Sequence, residues 1–206
     1  CNHGSVEVFD IGAPAAPCEW RKTLTNLAGA TGRETMSNVT TNLTKNQRLI
    51  DWVNEMATMT TPDQVVWYDG SEEERKRLTE YAVSKGILTP LNQQKHPGCY
   101  LHRSNSSDVA RVEHLTFICT PTKDEAGPTN NWMAPDEAYT KLRGLFAGSM
   151  KGRTLYVVPY VMGPLNSEHS KIGIEITDSA YVVVNMAIMT RMGKPALDML
   201  ADSNDF

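Results

Sequence analysis

The 206-residue chain has no surplus of positive charge, since 20 Lys and Arg stand against 24 Asp and Glu, for a formal net charge of −4. Binding to a polyanion is driven largely by counterion release at a basic surface, so the sequence argues against nucleic acid as a partner. Long apolar runs are missing too. The stretch Ala180 to Met189 is broken by Asn185, and it falls short of the roughly 18 to 20 residues that cross a bilayer. No membrane segment is expected. The four cysteines, at positions 1, 18, 99 and 119, form no CxxC pair, and no His or Cys lies at the short spacings of a tetrahedral zinc site. Reduced structural thiols are the expectation. There is no GxxxxGK[ST] or GxGxxG loop, whose backbone N–H groups would close around phosphates; Gly193-Lys194 is followed by Pro195 and has Ile188 where the first glycine belongs. No charged segment leading into an apolar core and a small-residue cleavage site is found, so the sequons at Asn38, Asn42 and Asn105 are taken as chance and the compartment as cytoplasmic.

What is present is the composition of one globular domain, 40% hydrophobic and 21% charged. Residues 1–35 show no sustained period and are interrupted by Gly4, Gly12, Pro14, Pro17, Gly29 and Gly32. They are expected to be disordered, or an upstream or non-native extension, with Met36 the biological start and residues 36–206 the domain. From Thr44 a helical period appears through Leu49, Ile50, Val53 and Met56, and Thr44 with Gln47 has the spacing of a capping box. Gln64 to Asp69 reads as a strand and Gly70 as a tight turn. Ser71 with Glu74 then opens a second helix, which Gly86 closes. The charges of Glu72 to Arg77 are read as a solvated helix face. Cys99 to His102 and Leu115 to Cys119 read as strands, and Pro135 opens a helix to about Phe146. Thr154 to Val161 and Lys171 to Thr177 are rich in β-branched and aromatic residues and are expected in one sheet. Tyr181 to Met192 fits a buried strand or a buried helix, and Lys194 begins a last helix.

The polar segment from Ser104 to His114 draws attention because it brings Arg111, Glu113 and His114 within four residues, between apolar stretches. Loops anchored on rigid elements tend to carry binding residues. A guanidinium fork grips a carboxylate or phosphate through two parallel bonds, and a nearby Glu can hold the loop or the Arg. The alternative is a one-turn helix, capped by Ser107 or Asp108, with a surface Arg–Glu pair. The five histidines lie too far apart in sequence for a zinc-helix motif.

Six segments in register, Asp108 to Glu113 (DVARVE), Gly127 to Trp132 (GPTNNW), Met150 to Pro159, Met162 to Pro164, Ile172 to Ser179 and Ile188 to Gly193, together resemble the amino-terminal part of GTP-dependent phosphoenolpyruvate carboxykinase. The resemblance covers roughly Met36 to Phe206, and GPTNNW is similar to bacterial-type members. It implies an α/β fold, a mixed sheet flanked by helices as in the family's amino-terminal lobe. It also implies an enzyme that converts oxaloacetate and GTP to phosphoenolpyruvate, GDP and carbon dioxide in gluconeogenesis. The complete enzyme is expected to be a cytoplasmic monomer using Mn²⁺, with Mg²⁺ as metal-nucleotide.

By the same resemblance Arg111 is the substrate-anion clamp, Glu113 an organiser of the lid or loop, and His114 a border of the substrate. The family's phosphate loop, metal ligands, guanine pocket and lid belong to sequence beyond Phe206. The chain is therefore expected to be an amino-terminal fragment that binds neither metal nor nucleotide and is inactive alone. The alternative is a non-catalytic remnant that binds a small dicarboxylate weakly or merely folds.

Overall fold

In the computed structural model, residues 43–104, 112–203 and 206 are described. The elements are α1 (Gln47–Thr60), β1 (Gln64–Trp67), α2 (Glu72–Ser84), β2 (Thr89–Pro90), β3 (Tyr100–Leu101), α3 (Pro135–Phe146), β4 (Thr154–Met162), β5 (Lys171–Thr177), α4 (Ala180–Met189), β6 (Arg191–Met192) and α5 (Lys194–Leu200). Four of the five helices pack on the two faces of a small mixed sheet, α1 and α5 on one and α2 and α4 on the other, and the remaining helix, α3, lies against α1.

β4 is the axis of the sheet. It pairs parallel with β1 from Gln64↔Thr154 to Trp67↔Val157, and antiparallel with β5 through seven successive residues from Tyr156↔Thr177 to Met162↔Lys171. β6 takes over where β1 leaves, pairing Tyr160 with Met192 and Val161 with Arg191. The carbonyls of Val157 and Pro159 accept from Tyr68 N–H (2.9 Å) and Gly193 N–H (2.8 Å). The odd residues of β4 thus direct their main-chain groups toward β1 and β6, and the even ones direct theirs toward β5. Pro159, which has no N–H to give, is tolerated inside this strand because its missing donor falls where β1 departs and β6 begins.

Side-chain alternation divides the core. Leu155 and Val157 face α1 and α5, packing with Leu49, Val53, Ala57, Leu197 and Leu200. Tyr156 and Val158 face α2 and α4, packing with Leu78, Ala82, Ala180 and Val183. Each such aliphatic side chain removed from water contributes roughly 1.5 to 3 kcal/mol before the entropic cost of ordering.

Local chemistry explains most element ends. The first helix is capped by Asn46, whose side chain accepts from Leu49 N–H at 3.1 Å, and not by the expected box of Thr44 and Gln47. Thr44 instead accepts from Asn46 N–H through Oγ1, which steadies the cap. The Asn46 amide also donates to the carbonyls of Ala201 and Ser203, so the cap ties α1 to the turn after α5. Two expected strands are corrected. Cys99 to His102 shrinks to the two-residue β3, paired with β2 in a small exposed hairpin. Leu115 to Cys119 is no strand: its start lies in a 3₁₀ turn, and only Ile118 makes an isolated bridge, to Trp132. Among the described residues, its β-branched and aromatic side chains have no neighbouring strand to pair with. The undecided stretch Tyr181 to Met192 resolves into α4 followed by β6, with Thr190 closing the helix.

Candidate substrate-binding segment

Arg111 and the rest of residues 105–111 lie outside the described residues, so the structure speaks to the flanks of this segment. On its C-terminal side, Glu113–Leu115 form a single 3₁₀ turn. Leu115 N–H donates to Val112 O at 2.9 Å, and Thr116 closes the turn through its amide on Glu113 O and its hydroxyl on Val112 O. Glu113 and His114 are neighbours on this turn, and both are exposed. These two of the three expected site residues, adjacent in sequence, lie at the surface.

What holds the turn is Asn131. Its side-chain amide donates to Glu113 O (2.7 Å) and to Thr116 O (3.1 Å), one group bracing both ends of the turn. The main chain repeats the joint, with Ile118 N–H donating to Asn131 O at 2.8 Å and Met133 N–H to Ile118 O at 3.3 Å. The Trp132 indole N–H donates to Thr120 O at 2.9 Å. Glu113, the last residue of DVARVE, is thus joined to Asn131 of GPTNNW, although the two lie 18 residues apart. The density of glycine and proline in Gly127 to Trp132 suits a ligand loop or a turn, and the bracing role of Asn131 does not follow from it, although successive asparagines there are a signal for side chains that bond to main chain.

The N-terminal flank is fixed differently. The His102 ring stacks on Tyr181 of α4, with centroids 3.8 Å apart, and its Nδ1 lies 2.7 Å from Ile87 O. A carbonyl only accepts, so Nδ1 carries the proton in that bond. Arg103 and Ser104 follow, exposed, before the chain passes out of the described residues.

A second group of ionisable side chains sits where β1 meets α2. Ser71 Oγ caps α2 by accepting from Glu74 N–H at 3.1 Å, as the sequence predicts. The return arm differs, because Glu74 Oε2 accepts from Asp69 N–H at 2.7 Å while Asp69 Oδ1 accepts from Ser71 N–H at 2.7 Å. Glu74 is 8% exposed, and burial, reinforced by neighbouring Asp69, raises its pKa above the ordinary carboxylate value. Burial pushes Asp69 the same way, but hydrogen bonds from the Ser71 main chain and side chain and from Glu74 leave it lowered. Burial also pushes Tyr68 up to about 12, with the charge of Glu74 adding to the effect. These carboxylates spend their acceptor capacity on the turn, so the arrangement is a structural cap.

The turn is locked from the other side. Gly70 (φ +84°) and Gly193 (φ +75°) face each other, and a Cβ on Gly193 would lie 2.1 Å from the Asp69 carbonyl. Lys194 N–H donates to Asp69 O at 2.9 Å across this junction. Only glycine fits both the backbone angles and the approach. Among the described residues, no three His, Cys, Asp or Glu side chains converge to hold a metal ion, and no helix is long and apolar enough to cross a membrane.

A mixed-sheet α/β domain that displays a short braced surface segment is thereby defined. The chain belongs to the family described as phosphoenolpyruvate carboxykinase N-terminal domain, whose model matches residues 51–206. It is 68% identical over 163 residues to the phosphoenolpyruvate carboxykinase (GTP) of Anaeromyxobacter sp. (strain K), a match covering 79% of this chain and 27% of that protein. The protein of the same name from Corynebacterium jeikeium (strain K411) is 52% identical over 163 residues, with 79% and 27% covered. That from Neocallimastix frontalis is 52% identical over 161 residues, with 78% and 26% covered. The chain spans about a quarter of the length of the curated relatives it matches.

Proposed function

We propose that this chain forms the substrate-anion side of a GTP-dependent phosphoenolpyruvate carboxykinase. The whole enzyme would convert oxaloacetate and GTP to phosphoenolpyruvate, GDP and carbon dioxide in gluconeogenesis, as a cytoplasmic monomer. The observation that carries the proposal is the bracing of the Glu113 turn by Asn131. It joins two of the segments on which the family likeness rests, next to the position of Arg111 in the sequence.

In this reading Arg111 grips the carboxylate of oxaloacetate or phosphoenolpyruvate through its guanidinium fork. Glu113, exposed on the turn, organises the loop or lid over the closed site, and His114 borders the substrate. GTP, Mn²⁺ and Mg²⁺ belong to the complete enzyme, where the metal would neutralise charge in phosphoryl transfer.

Calorimetric titration of this chain with oxalate, and separately with GTP and Mn²⁺, tests the proposal against an Arg111→Ala control. Oxalate binding that the substitution weakens by about 1.5 to 3 kcal/mol, the worth of a charge-assisted hydrogen bond, supports a substrate half-site. Oxalate binding unchanged by Arg111→Ala removes Arg111 from the role. Silence toward both ligands favours the non-catalytic reading of this chain in isolation.

A further inference from the structure

Every residue in 89–104 and in 112–116 is exposed except one, His102. These two stretches flank the candidate segment, so its entry is planted on the domain by a single half-buried side chain. Two contacts hold that ring. It stacks on Tyr181 at the start of α4, and its Nδ1 donates to the carbonyl of Ile87, where the chain has just left α2. Both supports are themselves fixed. Tyr181 packs against the core cluster that α2 and α4 share with the sheet, and Ile87 N–H donates to Ala82 O at 2.9 Å at the close of α2. A purely apolar side chain in this position would keep the packing but take the ring's donor away from the half-buried Ile87 carbonyl, so histidine answers to both contacts at once.

We propose that His102 is a positioning residue for substrate binding, planting on α4 and the end of α2 the chain that leads into Arg111. It does at the entry of the segment what Asn131 does at its exit, through a ring contact and one hydrogen bond where Asn131 uses two bonds to main-chain carbonyls. Ordering a chain costs conformational entropy, and a segment tied down beforehand relieves the ligand of that cost on binding. The effect of His102 therefore falls on the affinity of the site, while the side chain itself touches no substrate. The inference rests on the substrate-anion role proposed above.

Backbone amide NMR relaxation and oxalate calorimetry on this chain, with His102→Ala and His102→Phe, test it. In the unsubstituted chain the Arg103 and Ser104 amides are expected to show order parameters of about 0.8 or above, falling below about 0.6 in His102→Ala, while residues 113–116, held by Asn131, keep theirs. Oxalate binding should weaken by about 10-fold or more in His102→Ala with little change in Tm. His102→Phe, which keeps a ring on Tyr181, should recover part of both the order and the affinity. Unchanged order at Arg103 and Ser104 in His102→Ala would overturn the inference. Lost order with unchanged oxalate binding would overturn it too, as would a loss of affinity that tracks Tm across the two variants. Oxalate silence from the unsubstituted chain strikes the half-site reading and this inference with it, whereas binding that survives His102→Ala strikes only the role of His102.

Discussion

Glu74 and Asp69 share one turn and respond to pH in opposite directions. Burial raises Glu74, so the folded state holds that proton more tightly than the unfolded chain does. Its contribution to stability is full below the ordinary carboxylate value of about 4.3 and is lost as pH rises through the folded pKa. Asp69 is lowered, so its contribution is present above its ordinary value and is lost as pH falls through the folded one. Glu74→Gln is accordingly expected to raise the Tm at pH 7, with the gain fading toward pH 4. Asp69→Asn should lower the Tm at pH 7, and the gap should close in acid. Thermal melts of both variants across that range check the pair. At the braced turn, Asn131→Ala should weaken oxalate binding by about 1 kcal/mol or more while changing global stability little, because the two bonds it removes are exposed. A loss of Tm in proportion to the loss of binding would make Asn131 a purely structural residue. The cap at Ser71 was legible in the sequence because a hydroxyl three residues before a carboxylate has one common use. The return arm from Glu74 to Asp69 was not, since it depends on how sharply the chain leaves β1.

Among elements, α1, α2, α3 and α5 and the strands β1, β4 and β5 could be read from local patterns, whereas α4, β2 and β6 could not. α3, β5 and α5 fall where proline, β-branched runs and glycine put them, because those signals lie within a few residues of the ends they set. Leu115 to Cys119 has strand-like composition but finds only Trp132 to bridge, and strand formation needs a partner that a local pattern does not contain. The site divides the same way. The spacing of Arg111, Glu113 and His114 marked a candidate segment, whereas its brace comes from Asn131, on the far side of an intervening loop. The register of β5 gives an element-scale prediction. Glu175→Pro removes an N–H that faces β4 and should destabilise the fold by about 1 kcal/mol more than Ile174→Pro, whose lost N–H faces outward. Equal losses in chemical denaturation would mean that the outward amides are already bonded in this chain.

For the molecule as a whole, the contact of Gly70 with Gly193 is one of the joints that hold the first half of the chain to the last, beside the β1–β4 pairing and the Asn46 cap. Gly193→Ala places a Cβ against the Asp69 carbonyl and demands a positive φ. It is expected to cost more than about 2 kcal/mol, enough to lower the Tm by several degrees or prevent folding. Alanine at Gly86, where open space surrounds the Cβ, meets the strain of φ +70° without that collision and should be milder. The three-layer order of the fold was legible once strands and helices were seen to alternate. The insertion of β4 between β1 and β5 was not, because strand order is settled by long-range pairing.

That same pairing sets a sequence of events during synthesis. β1 lies early in the chain, yet its only described strand partner is β4, and Lys194 must arrive before the turn at Asp69 is locked. A ribosome that has released α1, β1 and α2 has released amphipathic helices with no sheet to cover. Their apolar faces stay open to the cell until most of the remaining chain has emerged. Such a topology folds late and slowly, which makes the nascent chain a natural client for chaperones that shield exposed apolar surface.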